Sequence, residues 1–124
     1  MTKLFYETDH PHRAYYKLAD ALAGKPFTTV RGEAQFKRWR IGRVVRCQTC
    51  NGKVFEATIL KLEQRHLCNM ELAFIKADAE HPGCVLTSHQ QFANLLNVFR
   101  DPRWKRPVNT STNLTIITLQ KNLV

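Results

Sequence analysis

The clearest chemical signal in this sequence is a pair of cysteines, Cys47 and Cys50, followed at once by Asn51-Gly52. A Cys-x2-Cys pair supplies half of a tetrahedral zinc site when the backbone turns tightly around the ion. Gly52 can adopt the positive φ that such a turn often needs. The pair therefore predicts a structural zinc ion bound by Cys47 and Cys50.

Two further ligands must come from residues downstream, and three completions fit the sequence. In the preferred one, His81 and Cys84 form a second half-site across Pro82-Gly83, and the arrangement resembles zinc ribbons and treble clefs, in which two knuckles face one ion. In the second, His66 and Cys68 complete the set. In the third, all four cysteines bind the ion. The preferred set of metal ligands is Cys47, Cys50, His81 and Cys84.

The compartment favours metal over disulfides. The N-terminus, Met1 to Glu7, lacks the apolar core of a secretion signal, and the chain has no run of about eighteen apolar residues. We therefore expect an intracellular protein, in the cytoplasm or nucleus, with no membrane partner. In a reducing compartment, clustered thiols hold metal more often than they form disulfides. A redox dithiol is disfavoured because Gln48-Thr49 is neither hydrophobic nor Pro-containing.

Charge is the second strong feature. The chain has 19 Lys and Arg against 10 Asp and Glu, a formal net charge of +9, which favours a polyanionic partner. The excess lies in two basic segments, residues 31–46 and 100–106, and each places aromatic rings among cations. Such a surface can neutralise phosphates and stack on exposed bases. The residues predicted to bind nucleic acid are Lys37, Arg38, Trp39, Arg40, Arg43, Arg103, Trp104, Lys105 and Arg106.

Other interpretations of the basic segments stay open. Phe36 and Trp39 are three positions apart, so they could share one helical face and anchor it in the core, which leaves the cations exposed. A basic surface can also dock an acidic protein, as in an inhibitor or adaptor whose zinc only stabilises the fold.

No catalytic arrangement stands out. Four good ligands predict a closed structural zinc site rather than an open catalytic one. A Cys-x2-Cys knuckle also occurs in His-Asn-His nucleases, but the middle of this chain has no Asp-His pair to act as their base and metal ligand. No phosphate-cradling Gly loop is present either. We therefore expect no enzymatic activity.

The helices that position these residues follow from hydrophobic periodicity and capping residues. Asp9 caps a predicted helix over about residues 10–23. Ser88 and Gln91 form the Ser-x-x-Gln pattern of a capping box and predict a second helix over about residues 88–100.

The strands are less distinct. Ile41 to Arg46 are expected to form a strand that enters the knuckle, and residues 54–62 favour another. Residues 67–79 fit either a buried strand or a short helix, since periodicity does not decide between them. Leu114 to Leu119 alternate well enough to predict a final edge strand.

The whole chain, 124 residues and 44% hydrophobic, fits one domain with a modest core over residues 1–124. We predict a small α+β fold with two main helices and a short antiparallel sheet that contains the zinc knuckle, within about residues 41–86. The predicted function is that of a non-catalytic, zinc-stabilised accessory protein that binds RNA or single strands. Its size and composition are typical of accessory proteins of viruses or mobile elements. The sequence leaves the oligomeric state open.

Overall fold

One five-stranded sheet forms the centre of the fold. The structure, a computed structural model, describes residues 2–3, 20–48, 53–80, 84–99 and 106–123. The strands within these ranges are β1 (Thr2–Lys3), β2 (Phe27–Gly32), β3 (Val44–Gln48), β4 (Val54–His66) and β5 (Asn113–Lys121). Their order across the sheet is β1-β3-β4-β5-β2. The short β1 runs parallel to β3, and all other neighbours are antiparallel.

The longest strand, β4, makes the sheet curl. Its N-terminal part pairs with β3 and its longer C-terminal part pairs with β5. A β-bulge lies between Ile59 and Lys61, and a bulge bends its strand and increases the local twist. The two faces of the curled sheet bury different sets of side chains.

Each face of the sheet carries its own hydrophobic core. Because successive residues of a strand point to opposite faces, Ile117 and Leu119 of β5 pack in a first core, whereas Leu114 and Ile116 pack in a second. The first core also takes in Ala21, from a helical turn at residues 20–22. The middle of β5 is consequently buried on both faces.

Helices cover the second core. They are α1 (Leu72–Ala79) and α2 (His89–Phe99), with short 3-10 helices at Glu33–Lys37 and Leu67–Asn69. Ile75 of α1 and Phe92 of α2 are fully buried in this core. Ala79 and Ala93 are buried beside them, and the burial of these apolar side chains holds the two helices in place.

The start of α2 confirms the predicted helix and its capping residues. The Gln91 amide donates to Ser88 Oγ at 3.3 Å. The Gln91 side chain turns back as expected, although its Oε1 accepts from the Thr87 amide at 2.6 Å rather than from Ser88. The helix begins at His89, within one residue of the predicted start.

The prediction of an edge strand at Leu114 to Leu119 is wrong. β5 lies between β4 and β2, and β2 is the strand at that side of the sheet. A strand buried on both faces has a near-continuous apolar run. Thr115 interrupts the run, but its hydroxyl donates to the Gly32 carbonyl at 2.9 Å, so it can be fully buried.

The remaining predictions need smaller corrections. The strand expected from Ile41 begins at Val44, because Gly42 has a φ of 87° and forms a turn before it. The ambiguous segment 67–79 forms helices, and the strand expected at 54–62 extends to His66. Of the helix expected at 10–23, residues 20–22 are helical and residues 10–19 lie outside the described residues. The observed small α+β domain with a mainly antiparallel sheet agrees with the fold class predicted from the sequence.

Candidate nucleic-acid interface

The predicted zinc ligands that the structure describes lie in different surroundings. Cys47 on β3 is fully buried in the first core, whereas Cys84 is half-buried and packs against the second. Cys50 and His81, like the turn at Asn51-Gly52, lie outside the described residues. Within the described ranges, no three His, Cys, Asp or Glu side chains group together to hold an ion.

The surroundings of Cys47 suit a core thiol. Burial raises the pKa of Cys47 to about 12, although the charge of Arg31 lowers it somewhat. A zinc ligand must lose its proton, and this environment opposes that loss. The pKa of Cys47 in the folded protein lies above its ordinary value of 9.0. The free energy of unfolding should therefore keep its full Cys47 contribution below about pH 9 and lose it as the pH rises through about 12.

The histidine and cysteine of the second zinc completion are both exposed. His66 Nδ1 lies 2.9 Å from the Ser111 carbonyl oxygen. Cys68 Sγ lies 3.9 Å from Asn69 Oδ1. His66 therefore ties the end of β4 to the loop before β5.

The first basic segment presents its cations to solvent. Lys37, Arg38, Arg40 and Arg43 are all exposed. In the part of the chain that the structure describes, none of them forms an ion pair with a carboxylate. Their charges are therefore available to an anionic partner.

Trp39 is held by the fold. Its ring is half-buried and packs against the first core. Its indole Nε1–H donates to Gln35 Oε1 at 2.9 Å. This geometry favours the anchoring interpretation of Trp39 over an exposed stacking ring.

A groove of about 710 Å³ lies beside the first basic segment. One wall is formed by Gly32 to Gln35, and the other by Arg106 to Asn109 and Ser111 to Leu114. Arg106 is the described member of the second basic segment and is exposed at the groove. The other predicted members of that segment, Arg103, Trp104 and Lys105, lie outside the described residues.

The strand register brings the two walls together. Gly32 at the end of β2 pairs with Leu114 at the beginning of β5. The chain that leaves β2 therefore enters the first basic segment next to the chain that arrives from the second. Segments about seventy positions apart in sequence consequently border one groove.

The wall that leads into β5 is fixed by a network of hydrogen bonds. The Asn97 side chain of α2 makes two hydrogen bonds to the Val108 backbone. Its Nδ2 donates to the Val108 carbonyl at 2.8 Å, and its Oδ1 accepts from the Val108 amide at 2.7 Å. The amides of Leu67 and Cys68 donate to the carbonyls of Thr112 and Thr110 at 2.9 and 2.8 Å. Such bonds hold the loop in one conformation before any ligand arrives.

The opposite wall contributes the groove's only described carboxylate, Glu33. Its Oε1 accepts from Asn113 Nδ2 across the groove at 3.4 Å. Its backbone carbonyl accepts from Gln64 Nε2 at 3.1 Å, which fixes the 3-10 helix against β4. Sequence reasoning missed Gln35 and Asn113 altogether. Glu33 had one signal, since it is the lone acidic residue of the first basic segment.

A buried polar contact joins α1 to β2 outside the groove. Asp78 is 5% exposed, and its Oδ1 accepts from Thr28 Oγ1 at 2.7 Å. Buried carboxylates need such hydrogen bonds because water no longer solvates them. The pair fastens the helix to the outermost strand.

Comparison with known proteins shows a relative in sequence and a relative in structure. No protein-family model matches the chain. The uncharacterised protein MJ0364 of Methanocaldococcus jannaschii is 36% identical over 87 residues, which is 68% of this chain and 72% of the relative. The chain belongs to the MJ0364 family. MJ0364 is itself uncharacterised, so membership of this family assigns no activity to the chain.

The structural relative shares the fold. The crystal structure of EF3133 from Enterococcus faecalis V583, a protein of the family DUF984, matches with a TM-score of 0.61. The match covers 86% of this chain and 67% of that chain, at 12% sequence identity. Across the described ranges, no helix has the length and apolar character needed to cross a membrane.

The cysteine environments predict different reactivity in the native protein. Cys68 is exposed and should react quickly with a thiol reagent at about pH 8, whereas the buried, protonated Cys47 should react only when the protein unfolds. Counting fast-reacting thiols checks this. Cys68→Ala should lower the native count by one and Cys47→Ala should leave it unchanged. A lower count in Cys47→Ala would contradict the described core.

Proposed function

We propose that this protein binds nucleic acid at the groove, with RNA or single strands as its ligand, and that it acts inside the cell without catalysing a reaction. The observation that carries the proposal is a groove bordered by Gly32 to Gln35, at the start of the first basic segment, and by Arg106 of the second. A basic segment alone is an ordinary solvated surface. A concave site next to cations supplies both charge and a place for a ligand.

The cations supply the affinity in this proposal. Lys37 and Arg38 come soon after the groove wall at Gly32 to Gln35. Arg40 and Arg43 lie farther from it, since the Arg43 carbonyl accepts from the Ile59 amide of β4 at 2.9 Å. Over the 3-10 helix each residue advances about 2 Å, so Lys37 lies roughly 8 Å along the axis from Glu33. Arg106 stands at the opposite wall. A phosphate backbone that crosses the groove would meet Arg106 at one wall and the cations beyond Gln35 at the other.

The groove favours an unpaired base over a duplex. Its volume of about 710 Å³ lies within the range of small-ligand sites, which is too small for a double helix. Ala34, Pro107 and Val108 give the walls an apolar component beside their polar groups. Sequence-specific RNA recognition commonly uses such pockets, because an unstacked base offers both a flat face and its hydrogen-bonding edge.

An acidic protein surface is the competing ligand for the same cations. A protein partner would need charge complementarity but no pocket of nucleotide size, so the groove favours nucleic acid. Binding to an acidic protein without binding to any nucleic acid would reverse this preference.

Zinc remains a separate proposal. The Cys-x2-Cys spacing of Cys47 and Cys50 supports it. The burial of Cys47 in the first core, while Cys84 packs against the second, opposes the preferred ligand set. Elemental analysis decides the matter. One zinc per folded chain that is lost in Cys47→Ala would support the ion, and a folded, zinc-free wild type would contradict it. Binding at the groove requires no metal, because none of the groove walls contains a predicted ligand.

The phosphate contact proposed for Arg106 predicts a change in salt dependence. Arg106→Ala should weaken binding to any short single-stranded RNA and reduce the slope of log affinity against log salt by about 0.7. Fluorescence anisotropy at several salt concentrations measures both quantities. Arg65→Ala is the matched control, since Arg65 pairs with Glu63 at 3.7 Å and lies outside the groove walls. Absence of binding at low salt by the wild type would refute the proposed function.

A further inference from the structure

The groove places a carboxylate where a site for phosphates alone would exclude one. Glu33 lines the groove and is exposed. Within the described residues it forms no ion pair, and its one side-chain partner is Asn113 at the long distance of 3.4 Å. A free carboxylate repels a nearby phosphate. Its place in a groove proposed to bind nucleic acid is favourable where the ligand brings a hydrogen-bond donor to it.

Gln35 supplies the complementary donor. Its Oε1 accepts from the Trp39 indole at 2.9 Å, and indole nitrogen is a donor only, so this contact settles which end of the amide is oxygen. The other end, Nε2, carries two N–H groups that no acceptor in the described ranges takes. Gln35 lines the same wall as Glu33. The wall thus offers two carboxylate acceptors and an amide donor.

Only one of the four common bases matches this set along its Watson–Crick edge. Guanine presents two adjacent donors, N1–H and the N2 amino group, beside the acceptor O6. Adenine and cytosine each present a single donor group beside acceptors, and uracil presents one N–H between two acceptors. A carboxylate can accept both guanine donors at once, as a charge-assisted pair. Unpaired bases are read on this edge when they enter a protein pocket.

We propose that the groove selects an unpaired guanine, with Glu33 accepting from N1–H and N2 and Gln35 Nε2 donating to O6. The proposal rests on nucleic-acid binding as the proposed function. Both side chains belong to a wall that is already fixed, because the Glu33 carbonyl is bound by Gln64 and the Gly32 carbonyl by Thr115. Asn113 holds the carboxylate from across the groove.

The test uses three five-nucleotide RNAs that differ at one position. Each has four uridines around a central guanosine, inosine or adenosine, and fluorescence anisotropy measures the affinity of the wild-type protein. A bidentate base contact is worth roughly ten- to hundredfold in discrimination, so the guanosine strand should bind at least tenfold more tightly than the adenosine strand. Inosine keeps O6 and N1–H but lacks the N2 amino group. Its strand should fall between the other two.

The matched variants are Glu33→Gln and Glu71→Gln. Both remove one negative charge, but Glu71 precedes α1, makes no side-chain capping bond and does not line the groove. Glu33→Gln should abolish the preference for guanosine, and Glu71→Gln should retain it. Equal strengthening of all three strands by Glu33→Gln would mean that the carboxylate only repels phosphate, and this would overturn the proposal.

Failure of the two proposals can be told apart. If the wild type binds all three strands equally and with a salt dependence, base selection is refuted while nucleic-acid binding stands. If it binds none of them at low salt, both fail. The comparison of guanosine with inosine uses only the wild-type protein, so it holds even if a variant does not fold.

Discussion

The antiparallel pairing of β2 with β5 is the constraint on which the rest of this structure depends. It puts Gly32 opposite Leu114, and so joins the exit of one strand to the entrance of the other. The residues that directly follow β2 and those that directly precede β5 then share one end of the sheet. The groove is a consequence of that register. A slip by one residue would turn every buried side chain of β5 to the wrong face.

The sheet supports the groove with rigid backbone on both sides. β5 is buried on both faces between two separate cores, which resists any shift of the register. The Asn97 amide ties the loop before β5 to α2, and Gln64 and Thr115 fix the wall after β2. Preorganised walls reduce the conformational-entropy cost of ligand binding, because less of the protein must be ordered when the ligand binds. The exposed Arg106 side chain at the groove can still adjust to a ligand.

Sequence patterns predicted the local features well and the long-range ones poorly. The capping residues Ser88 and Gln91 identified α2, because a helix start depends on residues close in sequence. The α+β class followed from the mixture of helical and strand-forming segments. The central position of β5 could not be predicted in this way, because an apolar run such as Leu114 to Leu119 fits either an edge strand or a central strand until its neighbours are known.

Predictions about the site likewise succeeded for local features and failed for long-range contacts. The basic segments were visible as local composition, but the meeting of Gly32 to Gln35 with Arg106 at one groove depends on strand order, which composition does not encode. The sequence left two roles open for Trp39, a stacking ring among cations or a hydrophobic anchor, and the tertiary structure packs the half-buried ring against the first core. Glu33 stood out only as the single acidic residue among cations. Asn113 gave no signal, as its role arises from pairing across the sheet.

Mapping of amide chemical shifts by NMR on addition of a short single-stranded RNA tests the central claim most directly. The account predicts that the perturbed amides fall in two separate stretches, Gly32 to Gln35 and Arg106 to Leu114, with the neighbouring residues of the first basic segment, and that both stretches saturate together. Shifts confined to α1 and α2, or to one of the two stretches alone, would contradict a site built by the pairing of β2 with β5.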